Sequence, residues 1–435
     1  MLTKHLLAPG AALLITLGVC AWLPAQETDQ VTVDFLAGAK TMLHSNTAQG
    51  RMIGAAVSKT GAAGLATINA AGIPGIDSIV NFNGRFTAPG FDPAGNPNTH
   101  WFYNMVGTSP ETDKTTMINA PVIPVSLDLR NFDGSPRFVN GQRLYSDATK
   151  YVKPVLGSPI FKNARFSSSE RPTQISDAVQ RAEFGDDAED NWHTLLKPHV
   201  GTPLVMTLIR GTYLFSLNPD GSCCAFVLID ANTFVNELFP PTFPVDASTV
   251  IGAAELSGDM KTTYITSLLF PNAFLFVNGN PSDCCILGFH SYDFEPGIPS
   301  NGNRERRYVM DYSSWISPGL FGEGFEDVTA LSHEMSEIFN DPFVASDGVH
   351  NITPWWLSPN GNCQDILEDG DVIEGLPNST FPMTLHGFTY HPQNEALLPW
   401  FEFKSPSTAL HHAYSYPDEA VLTALSPLEK VNCAP

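Results

Sequence analysis

The chain predicts an α+β fold: a mixed sheet with one functional helix, preceded by a β-rich N-terminal region. Three observations predict it. Apolar, β-branched runs bounded by turn residues recur between residues 120 and 315, as buried strands do. Two amphipathic helical patterns, TQISDAVQRAEF and LSHEMSEIFNDP, stand among and after them. Gly 34 and Pro 35 are both high, so turns should separate short elements.

Taken in order, residues 1–25 read as a secretory signal. Lys4 gives the basic start, LLAPGAALLITLGV the apolar run, and LPA a small residue for cleavage at Ala25. That run is short and Gly/Pro-interrupted for a membrane span, and Val19 occupies the place where lipid attachment at Cys20 would want a small residue. Residues 26–119, with AAGIPGIDSIVNFNGRF and APGFDPAGNPNTHWFYNMVG, should form short strands and loops without a catalytic cluster. From residue 120 onward APVIPVSLDLRNF, TPLVMTLIRGTYLFSL and CAFVLIDANTF read as strands. A helix follows Thr173 or Ser176, and SLLFPNAFLFV, CCILGFHSY and RRYVMDYSSW are three further strands. The tail from Asn351 is Pro-rich and acidic until ALHHAYSYPDEAVLTALSPLE, where a short helix is expected. The divisions are therefore 1–25, 26–119 and a main domain over 120–435.

The chain has 435 residues and a net charge of −22, which becomes −23 once Lys4 leaves with the signal. Such acidity repels nucleic acid and anionic membranes and favours cations. Seven cysteines less Cys20 leave Cys223, Cys224, Cys284, Cys285, Cys363 and Cys433, an even number suited to disulfides in an exported chain. Adjacent cysteines bridge poorly to each other, so cross-links between GSCCAF and SDCCIL are expected. Thiolate zinc is disfavoured because CxxC spacing is absent.

The chemistry concentrates in LSHEMSEIFNDP. Asp327 is placed to cap a helix that Pro342 must end. Val328, Leu331, Met335, Ile338 and Phe339 make one apolar stripe, with His333, Glu334 and Glu337 opposite. His333 and Glu337 are four apart and therefore neighbours. Over a cleft they would coordinate a cation while Glu334 takes a proton from attacking water; otherwise they form an ordinary solvated face. Asp365 is the first choice for a third ligand and Glu368 the second, with Asp369, Asp371 and Glu374 nearby. Two carboxylates and one neutral imidazole cancel a dication's charge and leave a weaker Lewis acid than a two-histidine site. Zn2+ suits the set, and the oxygen ligands also admit Mn2+ or Ca2+. His290, at a strand end in GFHSYDF, could face the cleft as a donor or extra ligand. His386, His391, His411 and His412 read as loop or packing residues, and no GxSxG marks a serine nucleophile.

SHEMSEIFNDP resembles the SHExxExx(T/N)DP segment of zincin-like metallopeptidases of bacterial secretomes, and is similar to that of the plant EXORDIUM (phosphate-induced protein 1) family. The likeness reaches upstream to CCILGFHSY and downstream to the W…NG…D region and YHPQNEALLPWF, about residues 280–405. A weaker echo lies in SPIFKNARFSSSERPTQISDAVQRAEF. The resemblance implies an extracellular or periplasmic protein with a zincin-like fold and a metallopeptidase-like HExxE site of His333, Glu334, Glu337 and Asp365. One departure is Asn362, in GNCQD, where the family often has glutamate. Two functions follow as expectations. One is a secreted zinc-dependent hydrolase acting on protein or peptide. The other is a non-catalytic wall or matrix protein that retains the scaffold and binds cell-wall glycan, with Trp355 and Trp356 for stacking.

Overall fold

The computed structural model describes residues 29–38, 76–91, 97–167, 171–241, 247–322, 324–344, 356–361, 363–364 and 367–425. The expected signal segment, Trp355, Asp365 and Cys433 lie outside these residues. The apolar runs form an eight-stranded mixed sheet. Its main strands are β1 (Thr115–Arg130), β2 (His193–Val200), β3 (Leu204–Ile209), β4 (Ile265–Pro271), β5 (Gly288–Glu295) and β6 (Glu305–Trp315). β6, β4 and β1 lie side by side in parallel, β2 and β3 both pair in parallel with β1, and β5 runs antiparallel to β6. Val309 of β6 pairs with Ile265 on one side and Tyr292 on the other, so β4 and β5 flank it. Every residue of β4 is buried, as a parallel strand covered on both faces must be.

Alternation along these strands feeds two cores. Leu268, Phe270, Met310 and Tyr312 point to one side. Leu269 and Val309 point to the other, where Leu331, Met335, Ile338 and Phe339 meet them. These four come from α2 (Thr329–Asn340), which packs on β6, on β5 and on α1 (Ile175–Phe184). The stripe read from the sequence is thus the face turned to the sheet. The opposite face is not solvated, because all twelve residues of α2 are buried.

Several expectations are revised. SLLFPNAFLFV is two strands, β4 and Ala273–Phe276, separated at Asn272 with φ 46° and assigned to different sheets. CCILGFHSY divides likewise into Cys284–Ile286 and β5. TPLVMTLIRGTYLFSL breaks at Gly211, whose φ of 95° suits glycine, into β3 and Tyr213–Leu217. CAFVLIDANTF turns helical after Asp230, whose carboxylate accepts from Thr233 N. The boundary placed between 119 and 120 falls inside β1, and Ile76–Asp77 pairs with β6, so described parts of 26–119 share the large sheet. The helix expected in ALHHAYSYPDEAVLTALSPLE is, over its described residues 409–425, a 3-10 turn, Leu410–His412, and a strand, Ser415–Tyr416, with Pro417 after it; residues 426–429 lie outside the described residues.

The cysteines also differ from expectation. Cys223 is bonded to Cys224 and Cys284 to Cys285, each across a cis peptide, with Cα atoms 3.0 Å apart. The two segments cannot meet because the strand Ala273–Phe276 lies between Cys223–Asp230 and Cys284–Ile286 in the four-stranded sheet. Among the described residues no helix is long and apolar enough to cross a membrane.

Candidate metal centre

α2 lacks the cap the sequence suggested. Val328 is the N-cap residue, and Asp327 has φ 48°. The Asp327 carboxylate accepts from Val328 N at 2.6 Å and from His391 N at 3.0 Å, and pairs with His391 Nδ1 at 2.8 Å. It fastens the start of α2 to the later chain, which gives His391 a positioning contact rather than a loop role. The end is as expected, with Asn340 last and Asp341 the cap before Pro342.

One helical turn places His333 Nε2 3.1 Å from Glu337 Oε1, and Glu334 Oε1 lies 3.9 Å from the same nitrogen. The segment after residue 366 folds back over this face. Asp371 Oδ1 lies 3.5 Å from His333 Nε2, and Asp371 N donates to Glu337 Oε1 at 3.3 Å. From β5, His290 Nδ1 approaches Glu337 Oε2 at 3.3 Å, Glu334 Oε2 at 3.6 Å and Glu368 Oε2 at 3.9 Å. His333, Glu334, Glu337 and Glu368 therefore converge, and Asp371 joins them. Asp365 lies outside the described residues, so its place among the ligands rests on sequence alone.

Close approach needs missing side chains. A Cβ on Gly370 would stand 2.5 Å from His333 Nδ1, and one on Gly288 2.5 Å from Glu334 Oε1. Each imidazole is oriented from behind. His290 Nε2 donates to the carbonyl of Asp341 at 3.1 Å. His333 Nδ1 donates to Gln393 Oε1 at 3.2 Å, and Gln393 Nε2 donates to the carbonyl of Gly370 at 2.6 Å, which fixes the amide's direction. These partners assign the tautomers and leave His290 Nδ1 and His333 Nε2 facing the carboxylates. Ser336 Oγ and Asn340 Nδ2 donate to Asp369 Oδ2 at 2.8 and 3.0 Å, and Asn340 also reaches Glu183 Oε1 on α1 at 2.9 Å. The folded-back segment is thereby tied to α2 and α1.

The electrostatics follow from burial. His333 is 5% exposed, Glu334 2%, Glu337 1%, Glu368 0% and Asp371 0%, so bulk solvent screens their charges little. Burial pushes Glu334 up to about 8, against the pull of His290 and His333. Burial acts to raise Glu337 too, but the charge of His333 and contacts with both histidines outweigh it and hold it low. Glu368 is driven well above the ordinary range by burial and then by Glu337. Both histidines are held well above theirs although burial opposes it, because carboxylates surround them: Glu368 first for His290, Glu337 first for His333. Two imidazoles face four carboxylates there, so the nest favours cations.

Orphaned atoms test whether a metal fits. His290 Nδ1 and both Glu368 oxygens are buried without a hydrogen-bond partner. Imidazole nitrogen with carboxylate oxygen is a donor set that zinc and manganese accept. The residues fit such an ion. A cavity of about 510 Å³, lined by Val152, Leu156, Val200 and Pro203 among others, shares no residue with the centre.

Sequence reasoning missed Gln393 and underweighted Asp371. Asp371 carried a signal, the turn-forming LEDGDVIEG, but nothing separated it from its acidic neighbours. Gln393 lay within the YHPQNEALLPWF likeness, but nothing in the sequence gave it a role, since orienting a histidine from 60 residues away is a tertiary event. No family model, curated protein or solved structure matches this chain.

Proposed function

We propose that the protein is an exported, zinc-dependent hydrolase, a metallopeptidase of HExxE type acting on protein or peptide, on a zincin-like scaffold. The reading is carried by one observation. His333 Nε2, its tautomer set by Gln393, stands against Glu337 and Asp371 in a buried nest of carboxylates, with Glu334 one position along the same turn. His333, Glu337 and Asp371 would hold the ion, which when bound supplies Lewis acidity to a carbonyl and acidifies water. Glu334 takes the proton of the attacking water and returns it to the leaving amine. The antiparallel strand β5 beside α2 supports the zincin-like comparison.

Zinc analysis of the purified chain tests the reading, with one equivalent or more expected and one equivalent fewer in His333→Ala. Cleavage of casein or a peptide library should disappear with chelator and with Glu334→Gln, the latter retaining its zinc. Metal-free protein overturns the proposal. A second reading, a non-catalytic wall or matrix protein with a structural ion, is favoured by the near-complete burial of these side chains. Zinc bound without cleavage would select it.

A further inference from the structure

We infer that the centre holds two divalent cations bridged by Glu337, the second bound by His290 and Glu368. The inference rests on the metal reading above and goes beyond its single ion.

The ligand atoms divide into two groups. His333, Glu337 and Asp371 bring donor atoms within 4.8 Å of one another, and so do His290, Glu337 and Glu368. A single ion with donors at ~2.0–2.2 Å would draw all its donors within about 4.4 Å. The two histidines instead fall in different groups that share Glu337 alone. Glu337 serves them through different oxygens, Oε1 toward His333 at 3.1 Å and Oε2 toward His290 at 3.3 Å. A carboxylate presenting one oxygen to each of two nitrogen donors has the form of a bridge, and two-metal hydrolytic sites keep their ions ~3.5–4 Å apart. Glu334 straddles the same gap at longer range, Oε1 toward His333 and Oε2 toward His290.

The second group is built independently of the helical motif. His290 comes from β5 and Glu368 from the folded-back segment, so only Glu337 belongs to α2. The His290 Nε2–H is used by the Asp341 carbonyl, which leaves Nδ1 with its lone pair toward the carboxylates. The rival arrangement makes His290 an imidazolium counter-ion. Its Nδ1–H would then need an acceptor, yet Nδ1 makes no hydrogen bond even to Glu337 Oε2 at 3.3 Å, and both Glu368 oxygens are orphaned as well. Buried polar atoms without partners are rare and require explanation. An ion between them supplies it. Charge agrees: Glu334, Glu337, Glu368 and Asp371 carry four negative charges when ionised, and two dications balance them with both imidazoles neutral. First-row ions that accept mixed nitrogen and oxygen donors, Zn2+ and Mn2+, are the class this set takes.

Stripped full-length protein, reloaded with Zn2+ and dialysed, should contain two equivalents by elemental analysis. His290→Ala and His333→Ala should each contain one. The Mn2+-loaded wild type, which needs no variant to fold, should give an exchange-coupled electron paramagnetic resonance signal. One equivalent in the wild type, whichever histidine it depends on, overturns the inference while leaving the metal-centre reading standing. Two equivalents without coupling overturn the Glu337 bridge. No bound metal overturns both.

Discussion

Gly370→Ala is a test that replaces no ligand. The added methyl would stand 2.5 Å from His333 Nδ1 and 2.8 Å from its Cγ and Cε1, where ordinary contact begins at 3.4 Å. The ring must therefore yield by about 1 Å, since the clash is with a buried ring packed on a helix. Movement on that scale parts His333 Nδ1 from Gln393 Oε1, now at 3.2 Å, and turns Nε2 away from Glu337 and Asp371. Losing an outer partner of a metal-bound histidine costs ~10–100-fold in affinity, or about 1.4–2.8 kcal/mol. Competition titration with a chromogenic zinc chelator measures this directly, and a melting curve checks that the chain still folds. Gly322→Ala, whose new methyl meets nothing within 4 Å, is the control and should bind as the wild type does. Unchanged zinc affinity in a folded Gly370→Ala protein would refute the role given to His333.

If the proposed ion binds the folded chain preferentially, removing it should lower stability; at 100 times its Kd it would add ~2.7 kcal/mol, read by calorimetry with and without chelator. Met335→Ala removes a fully buried side chain from the core between α2 and the sheet and should cost ~2–5 kcal/mol in urea unfolding, with zinc content unchanged in the folded fraction. Glu255 supplies a pH test away from the centre. Burial first, and then Asp293 and Glu295, pushes its carboxyl up to about 10, while Arg306 opposes them. The fold thus binds a proton that the unfolded chain has released, so this contribution is full below the ordinary 4.5 and falls as pH rises toward about 10. Glu255→Gln should melt with less dependence on pH over roughly pH 5–9; a slope as steep as the wild type's would count against the shift.

Helices and strands were legible where local periodicity is strong. α2 ended at Asn340 because Pro342 follows, and its stripe of Leu331, Met335, Ile338 and Phe339 met the sheet. Runs broken by one residue were not legible as such. Asn272 sends a continuous apolar string from one sheet into another, and hydrophobicity does not record which sheet a strand joins. Asp327 met the compositional rule for a cap and became instead the anchor of His391, since a carboxylate takes whichever donors tertiary packing brings.

By itself the sequence determined that His333 and Glu337 are neighbours, with Glu334 beside them, because helical rise and turn depend only on the local chain. It determined too which face of that helix is apolar. The tertiary structure alone decided that the other face is buried, that Asp371, Glu368 and His290 close over it, and that Gln393 and the Asp341 carbonyl set the imidazoles. Those meetings join residues tens of positions apart, and a chain's spacing carries no distance between segments until the sheet has been assembled around them.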